Sequence, residues 1–269
     1  MKLNVKDGVH YYTFDSFEKT GLVRHCFSTR IGGVSQGCYS GMNLGFSRGE
    51  NRENVCENYR RLAAAAGFDE HDMVMSSQCH GVRLYRAEAK DRGKGIFREN
   101  DIRETDGLVT DQKNVVLTTF SADCVLLYFL DPVKKVIALS HAGWRGTVQG
   151  MARLTVEEMQ KYGCRPNDIL AGIGPSIGGC CFEVDSPVAE AFEAAFSYAG
   201  LFISRREDAP QKYFIDLWRA NAEILVRAGV LEKNIETGGL CTMCNPDIFY
   251  SHRLMGNERG SMVAVMELV

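Results

Sequence analysis

Two apolar, β-prone runs, residues 125–130 (VLLYFL) and 136–140 (VIALS), flank Asp131-Pro132-Val133-Lys134, which has the residue types of a type I turn. The pattern predicts a hairpin. Pairing Leu130 with Lys135 across that loop sets Cys124 opposite His141 at the open end. Directly opposed residues have Cα atoms roughly 4.5–5.5 Å apart, close enough for a thiolate and an imidazole to share one ion.

Upstream, short strands are predicted over 10–14 and 22–27, and a helix over 52–66. In that helix Val55, Tyr59 and Leu62 share one face, and Gly67 ends it. Residues 72–87 read as strand, polar corner (Gln78-Cys79-His80-Gly81) and strand, and the charged stretch 90–103 as a mobile surface loop. Downstream, the pattern predicts a helix over about 147–162, a strand over 169–173 and a sharp loop over 174–179. Helices follow over about 187–198 and 217–228, and a last strand over 262–268. No repeat or linker interrupts the 269 residues, and a single domain spanning 1–269 is expected.

Composition narrows the classes. With 45% apolar and 24% charged residues the chain is of ordinary globular type. Its net charge of −3 comes from 31 basic and 34 acidic residues that are interspersed, so a polyanion such as duplex DNA or long RNA is not an expected partner. The longest apolar run is too short to span a bilayer, and the start, MKLNVKDGVHYYTF, lacks the order of a secretory signal. A cytoplasmic protein with reduced thiols is expected.

Candidate chemistry gathers at loop ends. Cys124 and His141 come as a pair, and His80, at a glycine-terminated corner, has the strongest case among the other histidines to be the third ligand. Two imidazoles and one thiolate suit zinc, and three protein ligands with a free fourth position mark a catalytic site. The metal-free rival uses Cys124 as nucleophile and His141 as base. The 28–35 segment, STRIGGVS, is either a plain turn or a place where backbone N–H groups and Arg30 meet an anion; Arg145, at the start of a helix, is a second anion candidate. Cys180, Cys181, Cys241 and Cys244 are read as structural thiols, because adjacent cysteines chelate poorly; a zinc finger or a redox pair is the minority reading.

Seven segments together carry a resemblance: TRIGGVS (29–35), QCHG (78–81), TDG (105–107), SADC (121–124), SHAGWRG (140–146), GPSIGGCCFEV (174–184) and CTMCNPDIFYSHR (241–253). The combination closely resembles the YfiH-type, laccase-domain family. Its members were first described as multicopper polyphenol oxidases and are now regarded as purine nucleoside phosphorylases with adenosine deaminase activity. The resemblance implies an α/β (α+β) fold of layered mixed β-sheets flanked by helices, an αββα sandwich. It also implies zinc on His80, Cys124 and His141, and conversion of adenosine, inosine or methylthioadenosine with phosphate to free base and ribose 1-phosphate. Within that reading Arg30, with Arg145 or Arg253, is assigned to phosphate, and Asp106 and Asp123 are candidates for acid/base work. Copper is the alternative ion. A laccase, however, needs a blue copper and a trinuclear cluster held mostly by histidine, and six histidines with no His-x-His pair are too few. An amidase editing peptidoglycan precursors and a non-catalytic metal-binding module are the other readings.

Overall fold

The run 125–130 has no polar face because neither face of its strand meets water. In the computed structural model, which describes residues 1–269, Val125–Asp131 is buried at every position. Val125, Leu127 and Phe129 join a core under helices, whereas Leu126, Tyr128 and Leu130 join a core shared with a second sheet. The C-terminal strand Met262–Leu268 divides in the same way. Met262, Ala264 and Met266 point between the sheets, and Val263 and Val265 point toward the helix Arg52–Ala66. Continuous apolar runs are the signature of strands covered on both faces.

The result is four layers, helix, sheet, sheet, helix. One six-stranded sheet runs in the order Lys2–Lys6, Val9–Thr13, Val23–Ser28, Met262–Leu268, Val116–Ser121, Met73–Met75. The other runs Ile235–Thr237, Leu170–Ile173, Val125–Asp131, Val136–Ala142, Gly107–Thr110, Leu84–Arg86. Both are mixed. Arg52–Ala66 covers the first sheet; Asn51 caps its start through Glu53 N–H, and Gly67, at φ 85°, supplies the left-handed residue that ends it. Met151–Gln160, Ser186–Ala195 and Leu217–Arg227 cover the second sheet, beside a small three-stranded sheet of Glu183–Asp185, Lys212–Ile215 and Ile203–Arg205.

Three expectations are corrected. The hairpin pairs Asp131 with Val136, not Leu130 with Lys135, because the Asp131 side chain accepts the Val133 and Lys134 N–H groups and Lys135 closes the turn at φ 55°. Cys124 and His141 are therefore diagonal neighbours. The slip changes each partner by two, which keeps both side chains on one face. The helix expected over 147–162 is two, Trp144–Val148 and Met151–Gln160, broken where Gly150 takes φ 79°. The stretch 90–103 is pinned by buried Ile96 and Ile102 and by Lys94, which bridges Asp91 and Asp101. Cys180 and Cys181 lie in a turn, with their Sγ atoms 3.6 Å apart.

Candidate metal centre between two cavities

Three segments meet at one end of the sandwich: the 78–81 corner, the 121–124 loop and the end of strand Val136–Ala142. The corner is built around Asp106, which is buried. Its carboxylate accepts three successive N–H groups, those of Cys79, His80 and Gly81, each at 3.0 Å. Such a run of converging N–H groups requires a left-handed residue, and His80 supplies it at φ 62°. Gln78 locks the other side by donating to Phe120 O and accepting from Phe120 N–H. The same Asp106 accepts from Nδ1 of His141 at 2.8 Å, which sets that ring's tautomer and leaves Nε2 for the site.

The donor atoms of His80, Cys124 and His141 all lie within 4.8 Å of one another. The two imidazole rings meet edge to face at 4.9 Å. Gly143 makes room for them. A Cβ there would stand 3.0 Å from Cys124 Sγ and 3.2 Å from His80 Cδ2, in the space an ion needs. Burial resists ionisation of the Cys124 thiol, but the charges and hydrogen bonds of His141 and His80 outweigh it and bring it down to about 6. Burial likewise disfavours charge on His141, and Cys124 and Asp106 more than offset it. Both shifts favour the charged forms, thiolate and imidazolium, and a bound cation would take the place of the proton between them. Two imidazoles and a thiolate, oriented by a buried carboxylate and open on one side, fit zinc and equally admit copper.

Two cavities open on this centre, and His80, Ala122 and Cys124 line both. The larger, about 460 Å³, is walled by Trp144, Ile177, Phe182 and Val184, with Arg145, His252 and Arg253 also lining it. The smaller, about 110 Å³, is lined mostly by polar residues, among them two arginines, Arg48 and Arg259, with Gln78, Ser47 and Ser121. Arg259 is buried, bonds only Gly260 O and Ser261 Oγ, and leaves its Nε without a partner. Burial, with Arg48 beside it, pulls its pKa down to about 10. Neither guanidinium has a carboxylate partner.

The expected site residues divide. His80, Cys124 and His141 converge. Arg145, stacked on Trp144 at 4.2 Å, and Arg253, which donates to Glu183 O at 2.8 Å, reach the larger cavity. Arg30 does not reach it: its guanidinium donates to Pro246 O and Ser40 O and stacks on Tyr250, so it braces loops. Asp106 lies behind the ligands, and Asp123 is among the residues lining the larger cavity. Asp106 accepts from three N–H groups and from His141 Nδ1, and Asp123, at φ 87°, accepts from Thr242 Oγ1, Ser251 Oγ and Arg253 N–H. The sequence reading missed Arg48 and Arg259; the one signal was Arg259-Gly260-Ser261 just ahead of the final apolar strand.

Residues 24–269 match the family model described as Multi-copper polyphenol oxidoreductase laccase. The chain belongs to this family. It is 38% identical over 240 residues to Purine nucleoside phosphorylase YlmD of Bacillus subtilis (strain 168), covering 88% of this chain and 86% of that one. It is 38% identical over 237 residues to Adenosine deaminase RL5 of an unknown prokaryotic organism, covering 87% and 90%. The Bacillus licheniformis hypothetical protein YfiH superposes with a TM-score of 0.92 at 31% identity over 99% of both chains. The laccase in the family's description finds little support in the donor set. Of six histidines only His80 and His141 share a metal-capable cluster, and His25 is packed among Phe14, Phe17 and Tyr128.

Proposed function

We propose that this chain is a metal-dependent purine nucleoside phosphorylase, with adenosine deamination as a second activity of the same centre. The observation that carries the reading is the open His80–Cys124–His141 set between an aromatic cavity of nucleoside size and a small cavity holding two unpaired arginines. The names of the relatives, a purine nucleoside phosphorylase and an adenosine deaminase, support both activities.

The purine lies in the larger cavity against Trp144 and Phe182, with Arg145 and Arg253 at its polar edge. Phosphate lies against Arg48 and Arg259, whose charge the anion neutralises. A phosphate oxygen bonds to ribose C1 as the glycosidic C–N bond breaks, and the departing purine carries the bonding electrons and takes up, on balance, the proton that hydrogen phosphate gives up. A zinc ion held by His80, Cys124 and His141 would supply Lewis acidity beside the base. Asp106 keeps His141 in the ligating tautomer, and Asp123 holds the 121–124 loop through the side chains of Thr242 and Ser251. Incubation with adenosine, with and without phosphate, tests the reading. Adenine and ribose 1-phosphate are expected only with phosphate, and inosine in either case; no product with either sinks it.

A further inference from the structure

The other concentration of metal-grade side chains lies beyond the far wall of the larger cavity. Cys180 and Cys181 follow the loop 174–179, and Cys241 and Cys244 sit in the turn after strand Ile235–Thr237; all four Sγ atoms lie within 4.8 Å of one another. The Cys181–Cys244 separation is 3.4 Å, Cys180–Cys181 3.6 Å and Cys180–Cys244 3.7 Å. Four sulfurs placed tetrahedrally about one zinc ion at roughly 2.3 Å stand about 3.8 Å apart. Cys180, Cys181 and Cys244 are thus spaced as one face of a zinc tetrahedron, and the Cys241 Sγ lies within 4.8 Å of all three. A polynuclear iron–sulfur cluster would have to fit its own iron and sulfide between them and needs wider spacing.

The backbone around the thiols is organised for this. Cys181 and Phe182 N–H both return to Gly178 O at 2.9 Å, a turn that fans consecutive side chains to one side instead of alternating them. Gly178 N–H donates to Cys241 Sγ at 3.3 Å, and Asn245 closes the second turn through Cys241 O at 2.8 Å. Thr242 N–H bonds Ser176 O, so the two turns are already laced by main chain. A Cβ at Gly178 would crowd Trp218 at 3.0 Å and both Cys180 Sγ and Cys241 Cβ at 3.3 Å, so the close approach of the turns needs glycine there.

We propose that Cys180, Cys181, Cys241 and Cys244 form a second, closed site for a structural zinc ion, clamping the 174–182 loop to the 241–246 turn. The four thiols release their protons to solvent as four Zn–S bonds form, giving a site of charge −2. The Arg253 guanidinium, 3.5 Å from Cys181 O, lies on hand to offset it. The clamp matters to the nearby centre because the same segments carry cavity-lining Ile177 and Phe182, and because Ile177 N–H and the Thr242 hydroxyl both hold Asp123, the residue before Cys124. The inference stands on the cysteine geometry alone and is independent of the nucleoside reading.

Elemental analysis of the full chain, purified with zinc under reducing conditions, tests it. Wild type should carry two zinc ions, Cys181→Ser/Cys244→Ser one, and His80→Ala/Cys124→Ala one, the last kept in the thiolate site. In wild type, site-resolved maleimide labelling should find Cys180, Cys181 and Cys244 protected until a chelator is added; this reading does not depend on how the serine variant folds. A wild-type content of one zinc that the serine pair leaves unchanged overturns the proposal. So does labelling of Cys180 and Cys244 that ignores the chelator, or an intact mass showing a disulfide in reduced protein.

Discussion

Replacing Asp106 with asparagine perturbs the metal centre without touching a ligand. Each carboxylate oxygen accepts strong bonds: one takes His80 N–H and His141 Nδ1, the other Cys79 and Gly81 N–H. Whichever oxygen becomes NH2, two donors then face a donor, and the charge that strengthened all four bonds is gone. Burial works to raise this carboxyl, yet the bonds from His141 and from the Cys79 and Gly81 N–H groups hold it down at about 2, which shows how completely the corner is organised around the anion. Hydrogen bonds to a charged group contribute about 1.5–3 kcal/mol each, so losing two destabilises the corner by about 3 kcal/mol or more. Loss of a carboxylate that orients a ligating histidine lowers metal affinity roughly 10–100-fold. Competition with a chromophoric chelator reads the zinc affinity, and circular dichroism checks that the variant is folded. A folded Asp106→Asn protein that binds zinc within a factor of two of wild type would refute the positioning role.

Other expectations follow from single observations. Arg259→Met removes a buried, unpaired cation while keeping the length of the side chain. The KM for phosphate should rise about 10–100-fold with that for adenosine little changed, and phosphate should no longer raise the melting temperature; an unaltered phosphate KM removes Arg259 from the anion site. Gly143→Ala keeps an allowed backbone, φ −59° and ψ 170°, but puts a methyl among the ligands, so it should lose zinc without losing secondary structure; retained zinc would contradict that geometry. His25 is buried and accepts the Phe14 N–H through Nε2, and burial, only partly opposed by Glu18 and Glu236, lowers its pKa from 6.5 to about 4. The unfolded chain therefore takes up this proton first. The stability that neutral His25 contributes is present above pH 6.5 and lost as pH falls toward 4, about 3 kcal/mol in all. Denaturation of wild type and His25→Gln at neutral pH and at about pH 4.5 should show the steeper acid loss in wild type; parallel losses would rule the histidine out.

What the sequence could and could not disclose has physical causes. Arg52–Ala66 and Met262–Leu268 were readable to the residue because cap, glycine stop and apolar run are local signals. The convergence of His80, Cys124 and His141 was readable because His and Cys at loop ends are chemically rare, and an even slip in register keeps Cys124 and His141 on one face. The arginines of the small cavity were not: Arg48 and Arg259 lie on aperiodic segments at opposite ends of the chain, and only the sandwich brings them together. The proximity of the four cysteine thiols was not legible, because Cys180 and Cys181 meet Cys241 and Cys244 only through the folding of two turns far apart in sequence. The strands Glu183–Asp185 and Ile203–Arg205 have three residues each, too few to show a period.

Reversible metal dependence of phosphorolysis is the most direct test of the account. Adenine released from adenosine and phosphate should disappear when the chain is stripped by a chelator, return on adding zinc back, and stay absent in Cys124→Ala under both conditions. Adenine release that survives stripping, or that persists in Cys124→Ala, would contradict a metal centre on His80, Cys124 and His141.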